Sequence, residues 1–371
     1  MSWFLAFAGF AALIILHELG HFAAAKAVGM RVERFMLFFP PILAKFRRGE
    51  TEYGVGAIPL GGYVKISGMS PNEELAPEVA PRAYLRQPVW KRIVVIGAGP
   101  AVNIVLAFLL IFGLLLASGV TRSALSVASV EQGRPAAGAL RPGDRIVSID
   151  GRPGAAPGLS PAQVDARQLA LREQVQKHGC AGGARTDGCA ATTPAVVVVE
   201  RDGRRVTERI RPVYDAQAKI MRLGFVYGTE QEHVGVGEAA RLTTSGMWNV
   251  TRLTVESIVR LFYDSKARGE VSGVVGSYEV TRQAVAFDAG RAIEVLALIS
   301  LSLGVINLFP FLPLDGGHIF WALAEKVRGR PIPFRLIERV SVVGFMLVAF
   351  LFVVGLSNDI GRLTGEGFNV R

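Results

Sequence analysis

His17-Glu18-Leu19-Gly20-His21 sits inside the apolar run Trp3–Val28, whose only other charged residue is Lys26. Two histidines four positions apart face one side of a helix and can share one metal ion. A glutamate beside the first can activate water at that ion. Ionisable groups within a membrane span are costly, so such a cluster reads as a functional site. A helix rises about 1.5 Å per residue, which puts His17 roughly 21 Å along from Trp3, past the middle of a bilayer.

The rest of the chain agrees with a membrane setting. Half of its 371 residues are hydrophobic. Trp3–Val28, Ile93–Val120, Ala292–Leu312 and Val340–Leu356 are each apolar enough to span or nearly span a bilayer as helix, the last extended by Leu336 and Ile337. The first run has no basic segment before it and no small-x-small cleavage site, so it reads as a retained span. The net charge of +10 invites a nucleic-acid partner, but its placement argues against one. Lys26, Arg31, Arg34, Lys45, Arg47, Arg48, Lys65, Arg82, Arg86, Lys91 and Arg92 fall between spans one and two. Lys326, Arg328, Arg330, Arg335 and Arg339 fall between spans three and four. By the positive-inside rule both connections (26–92 and 319–339) are expected in the cytoplasm, with the N-terminus and the long polar insert outside. Anionic lipid heads then account for the excess of basic residues.

Between spans one and two, Tyr53-Gly54-Val55-Gly56-Ala57-Ile58-Pro59-Leu60-Gly61-Gly62-Tyr63-Val64-Lys65 mixes β-branched and aromatic residues with glycine, as strands and tight turns do. The region 30–69 is too apolar for a free loop. It is expected to be a β-hairpin that enters the membrane shielded by protein, with an edge able to pair with an extended substrate. Ser70–Arg92 reads as a polar linker. In span two, Gly97, Gly99 and Pro100 suit close helix approach, and Asn103 is expected to serve packing by a hydrogen bond across a helix interface.

The insert carries Ala136-Ala137-Gly138-Ala139-Leu140-Arg141-Pro142-Gly143-Asp144-Arg145-Ile146-Val147-Ser148-Ile149-Asp150-Gly151. A short helix, a turn, an alternating strand and an Asp-Gly turn follow from it. The run resembles bacterial PDZ domains, which implies a small α+β module over 121–215. The helix Pro161–Gln176 and strands Ala195–Glu200 and Arg205–Arg211 are expected to complete it. Cys180 and Cys189 flank a Gly-rich run and are candidates for a disulfide outside the cytoplasm. Residues 216–290 are expected to be a linker with an amphipathic helix, Val236–Tyr263, lying at the membrane interface.

Two histidines are too few for catalytic zinc, which takes three protein ligands and keeps a position open. Of the five histidines, His178 and His233 lie in the outer region, which leaves His318. Asp315 is the sharper candidate. It follows Asn307-Leu308-Phe309-Pro310-Phe311-Leu312-Pro313-Leu314, where the prolines break a helix, and it precedes Gly316-Gly317. A carboxylate beside an apolar span needs a partner such as a metal held by two imidazoles.

At this point the chain resembles the site-2 protease family of intramembrane zinc metalloproteases, on His17–His21 in the first span and Asn307 through Asp315-Gly316 in a later one. The PDZ-like insert makes it similar to the RseP-like branch, with one such domain where RseP has two. Ser272-Gly273-Val274-Val275-Gly276 matches a further family segment but lacks its proline. The resemblance covers nearly the whole chain. It implies an α-helical polytopic membrane protein of four transmembrane helices, a membrane-entering β-hairpin and an extracytoplasmic insert. The two halves of the membrane core would be 1–120 and 291–371. It further implies one Zn2+ held by His17, His21 and Asp315, with Glu18 as the base. Asn307 would bind substrate or oxyanion, and Gly61, Gly62 and Tyr63 would belong to the substrate-binding loop. The implied setting is the inner membrane. The implied partners are transmembrane proteins already cut in their ectodomains, such as anti-sigma factors or remnant signal peptides, with no nucleic acid. Two rivals are a non-catalytic PDZ-bearing sensor on a protease-like frame, which would bind no stoichiometric zinc, and a metal transporter, which would need polar residues along several spans.

Overall fold

The computed structural model of the chain describes residues 2–70, 73–183, 185–261, 263–264, 269 and 273–365, so Ser272 of the Ser-Gly-Val-Val-Gly segment lies outside the described residues. The chain divides into two compact units, one made of residues 1–117 and 235–371, the other of residues 118–234.

Among the described residues the first unit holds four helices long and apolar enough to cross a membrane: α1 (Ser2–Ala27), α2 (Val89–Ser118), α6 (Ala289–Asn307) and α8 (Phe334–Thr364). Hydrophobic burial does not hold such helices together in lipid; close packing and hydrogen bonds do. The α1–α2 contact shows how. A Cβ on Gly20 would come 2.7 Å from the Ala98 carbonyl oxygen, and one on Gly99 would clash outright with the His21 ring. Only hydrogen fits at either position, so the two helices approach tightly beside His21.

Between α1 and α2, β1 (Val32–Arg48) and β2 (Thr51–Ile66) form a hairpin that curls on itself. Arg34–Leu37 pairs on one side with Gly62–Lys65 and on the other with Glu52–Val55, which pairs in turn with Ala44–Arg47. Gly62–Lys65 is thereby an edge; among the described residues no strand pairs with its other side. Glu50, at the hairpin tip, accepts from Arg82 at 2.7 and 2.8 Å and from Lys26 at 2.5 Å. This clasp joins the end of α1, the hairpin and the short turn at Ala80–Arg82 that the linker forms.

This unit also holds the helices α4 (Val236–Arg260), α5 (Val274–Phe287) and α7 (Asp315–Arg328). The amphipathic helix expected over 236–263 is α4. It leaves an apolar cavity of about 740 Å³ against α2 and α6, lined by Phe108, Met247, Trp248, Leu301 and Val305 among others. Helix α5 was not legible in the sequence because Glu279 and Arg282 interrupt its apolar face; they pair with each other at 2.5 Å. Asp359 of α8, fully buried, accepts from the Gly273 and Gly276 amides at 3.0 and 2.8 Å, satisfying donors at the start of α5. The third apolar run is also shorter than expected. Helix ends at Asn307, and Asp315 begins a separate helix, because Pro310 and Pro313 supply no backbone donor.

The second unit is a sheet in the order β10 (Phe225–Glu232), β3 (Val120–Val130), β4 (Arg145–Ile149), β6 (Ala195–Arg201), β7 (Arg204–Ile210). A two-residue strand, β5 (Arg152–Pro153), pairs with β4, and β8 (Val213–Asp215) pairs with β9 (Ile220–Arg222). Helix α3 (Pro161–Gln176) opens on a capping box: Gln163 donates its backbone amide to Ser160 Oγ, and its side chain accepts from the Ser160 amide. The core joins Leu125, Val127, Ile146, Ile149, Leu171, Val197 and Val199. Asp144 is buried; burial alone would push its carboxyl up, but the Arg201 guanidinium at 2.6 and 2.8 Å and the Arg141 amide hold it below the usual carboxylate range. Cys180 and Cys189 are bonded, with Cα atoms 5.7 Å apart. The unit runs to Val234 rather than ending at 215, because β10 pairs with β3 across about a hundred residues of sequence, a partnership no local pattern announces.

The Glu50 clasp predicts a pH effect of definite sign. Arg82, then Lys26, holds the Glu50 carboxyl at about 2, against an ordinary 4.5. A depressed folded-state value stabilises fully above the unfolded value and is lost as pH falls through the folded one. In thermal unfolding of detergent-solubilised protein, wild type should exceed Glu50→Gln near neutrality, and this margin should shrink steadily between about 4.5 and about 2. A margin independent of pH would show that the charge is not what the clasp uses.

Candidate metal centre

Two local devices place the three donor atoms. His17 and His21 come from one face of α1, a turn apart, and both are buried. Asp315 arrives from the broken segment after α6, as the first residue of α7, where a carboxylate also faces the positive end of a helix. Gly316 and Gly317 let that turn fold tightly: a Cβ on Gly316 would meet the Leu308 carbonyl, and one on Gly317 would lie 2.5 Å from the Leu312 amide nitrogen.

The three donors converge. Asp315 Oδ2 lies 3.4 Å from His17 Nε2 and 3.3 Å from His21 Nε2, and the two Nε2 atoms are 3.3 Å apart. Asp315 Oδ2 is buried and has no hydrogen-bond partner. In a tetrahedral site, ligand atoms stand about 1.63 metal–ligand distances apart, so bonds of about 2.0–2.1 Å to zinc call for separations of about 3.3–3.4 Å. The observed triangle has these edges, and the orphaned oxygen is one of its corners. Among the described residues, this is the one cluster of three such side chains able to hold a metal ion. His318, three residues further along α7, is not part of it.

Glu18 is half-buried beside this triangle. The edge strand of the hairpin touches it: a Cβ on Gly62 would lie 2.8 Å from Glu18 Cγ. Gly61 packs on the Phe39 ring, and Tyr63 stacks on the same ring with centroids 6.2 Å apart. Asn307 is half-buried at the end of α6.

Three residues at the centre were missed as site residues, all on α2. His21 Nδ1 lies 2.9 Å from the Val95 carbonyl oxygen, Gly99 backs the His21 ring, and Asn103 Nδ2 lies 3.2 Å from His17 Nδ1. Asn103 is fully buried, and its own carbonyl accepts from Ser300 Oγ at 2.9 Å. The packing role expected of Asn103 is thus only half of what it does. The signal was available: positions 95, 99 and 103 recur every fourth residue and form one helix face.

This fold, with an H-E-x-x-H helix among membrane-length helices and a carboxylate brought to it by a broken segment, defines a membrane-embedded metallopeptidase. The model of peptidase family M50 matches residues 5–351. A Nostoc sp. protein named as a zinc metalloprotease is 28% identical over 375 residues, covering 99% of this chain and 98% of the relative. The zinc metalloprotease Rip1 of Mycobacterium tuberculosis is 31% identical over 397 residues, covering 90% of this chain and 92% of the relative. A Synechocystis sp. protein, also named as a zinc metalloprotease, is 31% identical over 363 residues, covering 95% and 93%. The chain belongs to peptidase family M50, the site-2 proteases, and is a zinc metalloendopeptidase.

The Gly99 contact yields a prediction. Gly99→Ala should displace the His21 ring, since no Cβ fits there. Zinc content of purified protein, measured by mass spectrometry, should fall well below one ion per chain while circular dichroism keeps its helical signal. Full zinc occupancy in this variant would show that the α1–α2 approach does not set the histidine geometry.

Proposed function

We propose that the chain hydrolyses peptide bonds within transmembrane segments of single-pass membrane proteins, with zinc held by His17, His21 and Asp315. The observation that carries this reading is the triangle of donor atoms at tetrahedral spacing inside apolar helices, with Glu18 beside it. Bound there, zinc supplies a Lewis acid that polarises the scissile carbonyl and makes water acidic enough to lose a proton near neutral pH. Glu18 takes that proton and delivers it to the leaving amine, which is why a carboxylate is needed next to the first histidine. Gly62–Lys65 holds the substrate extended by strand pairing, because a helix keeps its carbonyls in internal hydrogen bonds and cannot be cut until it unwinds. Gly62 and Tyr63 belong to this edge and Gly61 leads into it, and Asn307 contributes a polar group to the substrate or the developing oxyanion.

The clustering of basic residues in 26–92 and 319–339 supports a topology with these connections in the cytoplasm and the second unit on the other side of the inner membrane. In this topology the Cys180–Cys189 bond stands in an oxidising compartment. The second unit serves as a PDZ-type module; support comes from its strand order, from α3, and from a cavity of about 280 Å³ lined by Leu171, Val175, Phe225 and Tyr227 among others. Its place in regulated intramembrane proteolysis would be to admit substrates whose ectodomains have already been cut.

Glu18→Gln tests the assignment. Cleavage of a membrane-anchored reporter by purified enzyme in vesicles should fall by at least about 100-fold, the usual weight of a general base, with zinc content unchanged. Turnover near the wild-type rate would remove Glu18 from the reaction. Membrane proteomics of cells carrying the same variant should show truncated single-pass proteins accumulating.

A further inference from the structure

The two histidines are gripped at their far ring nitrogens in different ways. His21 Nδ1 faces the Val95 carbonyl oxygen at 2.9 Å. A carbonyl only accepts, so Nδ1 carries the proton and Nε2 presents a lone pair to the cluster. His21 is therefore preset for a metal.

His17 Nδ1 instead faces the Asn103 side-chain amide, with Nδ2 at 3.2 Å and Oδ1 buried without a hydrogen-bond partner. In this arrangement Asn103 donates, and the His17 proton sits on Nε2, 3.3 Å from His21 Nε2, whose lone pair can accept it. To offer Nε2 to an ion, a neutral His17 must carry its one proton on Nδ1. That proton then needs an acceptor in a place closed to water. An amide supplies both roles, exchanged by a half-turn about the Cβ–Cγ bond, and the half-turn would give Oδ1 the partner it lacks. The backbone of Asn103 stays fixed meanwhile, because Ser300 Oγ donates to its carbonyl at 2.9 Å.

We propose that Asn103 is a positioning residue for His17, turning its amide so that Oδ1 accepts the Nδ1 proton and locks the ring in the tautomer that binds metal. The proposal rests on the reading of His17, His21 and Asp315 as zinc ligands. Partners of this kind, behind a ligating histidine, typically affect metal affinity by about 10–100-fold.

Full-length protein in detergent would be compared as wild type, Asn103→Leu and Asn103→Asp, with zinc affinity measured by chelator competition and the visible spectrum recorded after cobalt loading. Leucine has similar bulk and no acceptor; zinc affinity should fall about 10–100-fold and the cobalt spectrum should change. Aspartate only accepts; it should hold affinity near wild type and preserve the spectrum. A residue that merely fills space would give the reverse order, and tight binding by the leucine variant, or equally weak binding by both folded variants, overturns the proposal. Should the aspartate variant not fold, wild type labelled with 15N-histidine decides the matter. Zinc loading should move the His17 proton from Nε2 to Nδ1 and leave His21 protonated at Nδ1 throughout; a His17 Nδ1 without a proton in the zinc-loaded protein overturns it. Unaltered zinc binding by His17→Ala and His21→Ala would defeat the ligand reading instead.

Discussion

A carboxylate oxygen with no hydrogen-bond partner, wedged between two imidazole nitrogens among apolar helices, is the constraint on which the architecture turns. An uncompensated charge in such surroundings costs several kcal/mol or more, so Asp315 Oδ2 needs a positive partner in the same small space. The elements of the first unit can be read as means to bring that about. The glycine contacts of α2 bring a helix face against the histidines, and the broken segment after α6 turns the carboxylate inward. Away from the centre, ordinary ion pairs take over: Arg92 of α2, itself buried, holds Glu325 of α7 at 2.7 and 3.0 Å and so ties the helix that begins with Asp315 to the one that backs the histidines.

The parts of this site that could be read from the sequence are those whose spacing is local. Helical geometry makes His17 and His21 neighbours whatever surrounds them, and the proline and glycine residues around Asp315 announce a break and a tight turn by their own backbone chemistry. Asn103 and Asn307 show where that kind of reading stops. Both are polar residues on or at the end of an apolar helix, and the sequence does not rank them. The structure puts Asn103 against a histidine ring, because the rotation of α2 about its own axis is fixed by contacts at Gly99 and Gly20, which are long-range facts. The same limit applies to the hairpin. Strands were legible from composition, but the double pairing of Arg34–Leu37, which leaves Gly62–Lys65 at the edge beside Glu18, depends on a curl that no alternation pattern encodes. Helix α5 was hidden for the opposite reason: its charged residues satisfy each other locally and so disguise an element that packs against α1 and α6.

The second unit shows how long-range pairing can reset a boundary. Strands β4, β6 and β7 and helix α3 follow from turn signals and alternation, whereas β10 closes the sheet by returning to β3. That return has a consequence for how such a protein can change over time. Val120 and Glu232 are register partners, so the polypeptide departs and comes back at adjacent points. An inserted module with neighbouring ends imposes little on the chain that hosts it. Its length, its loops and even its number of copies can then vary while the chain on either side continues from the same two adjacent points.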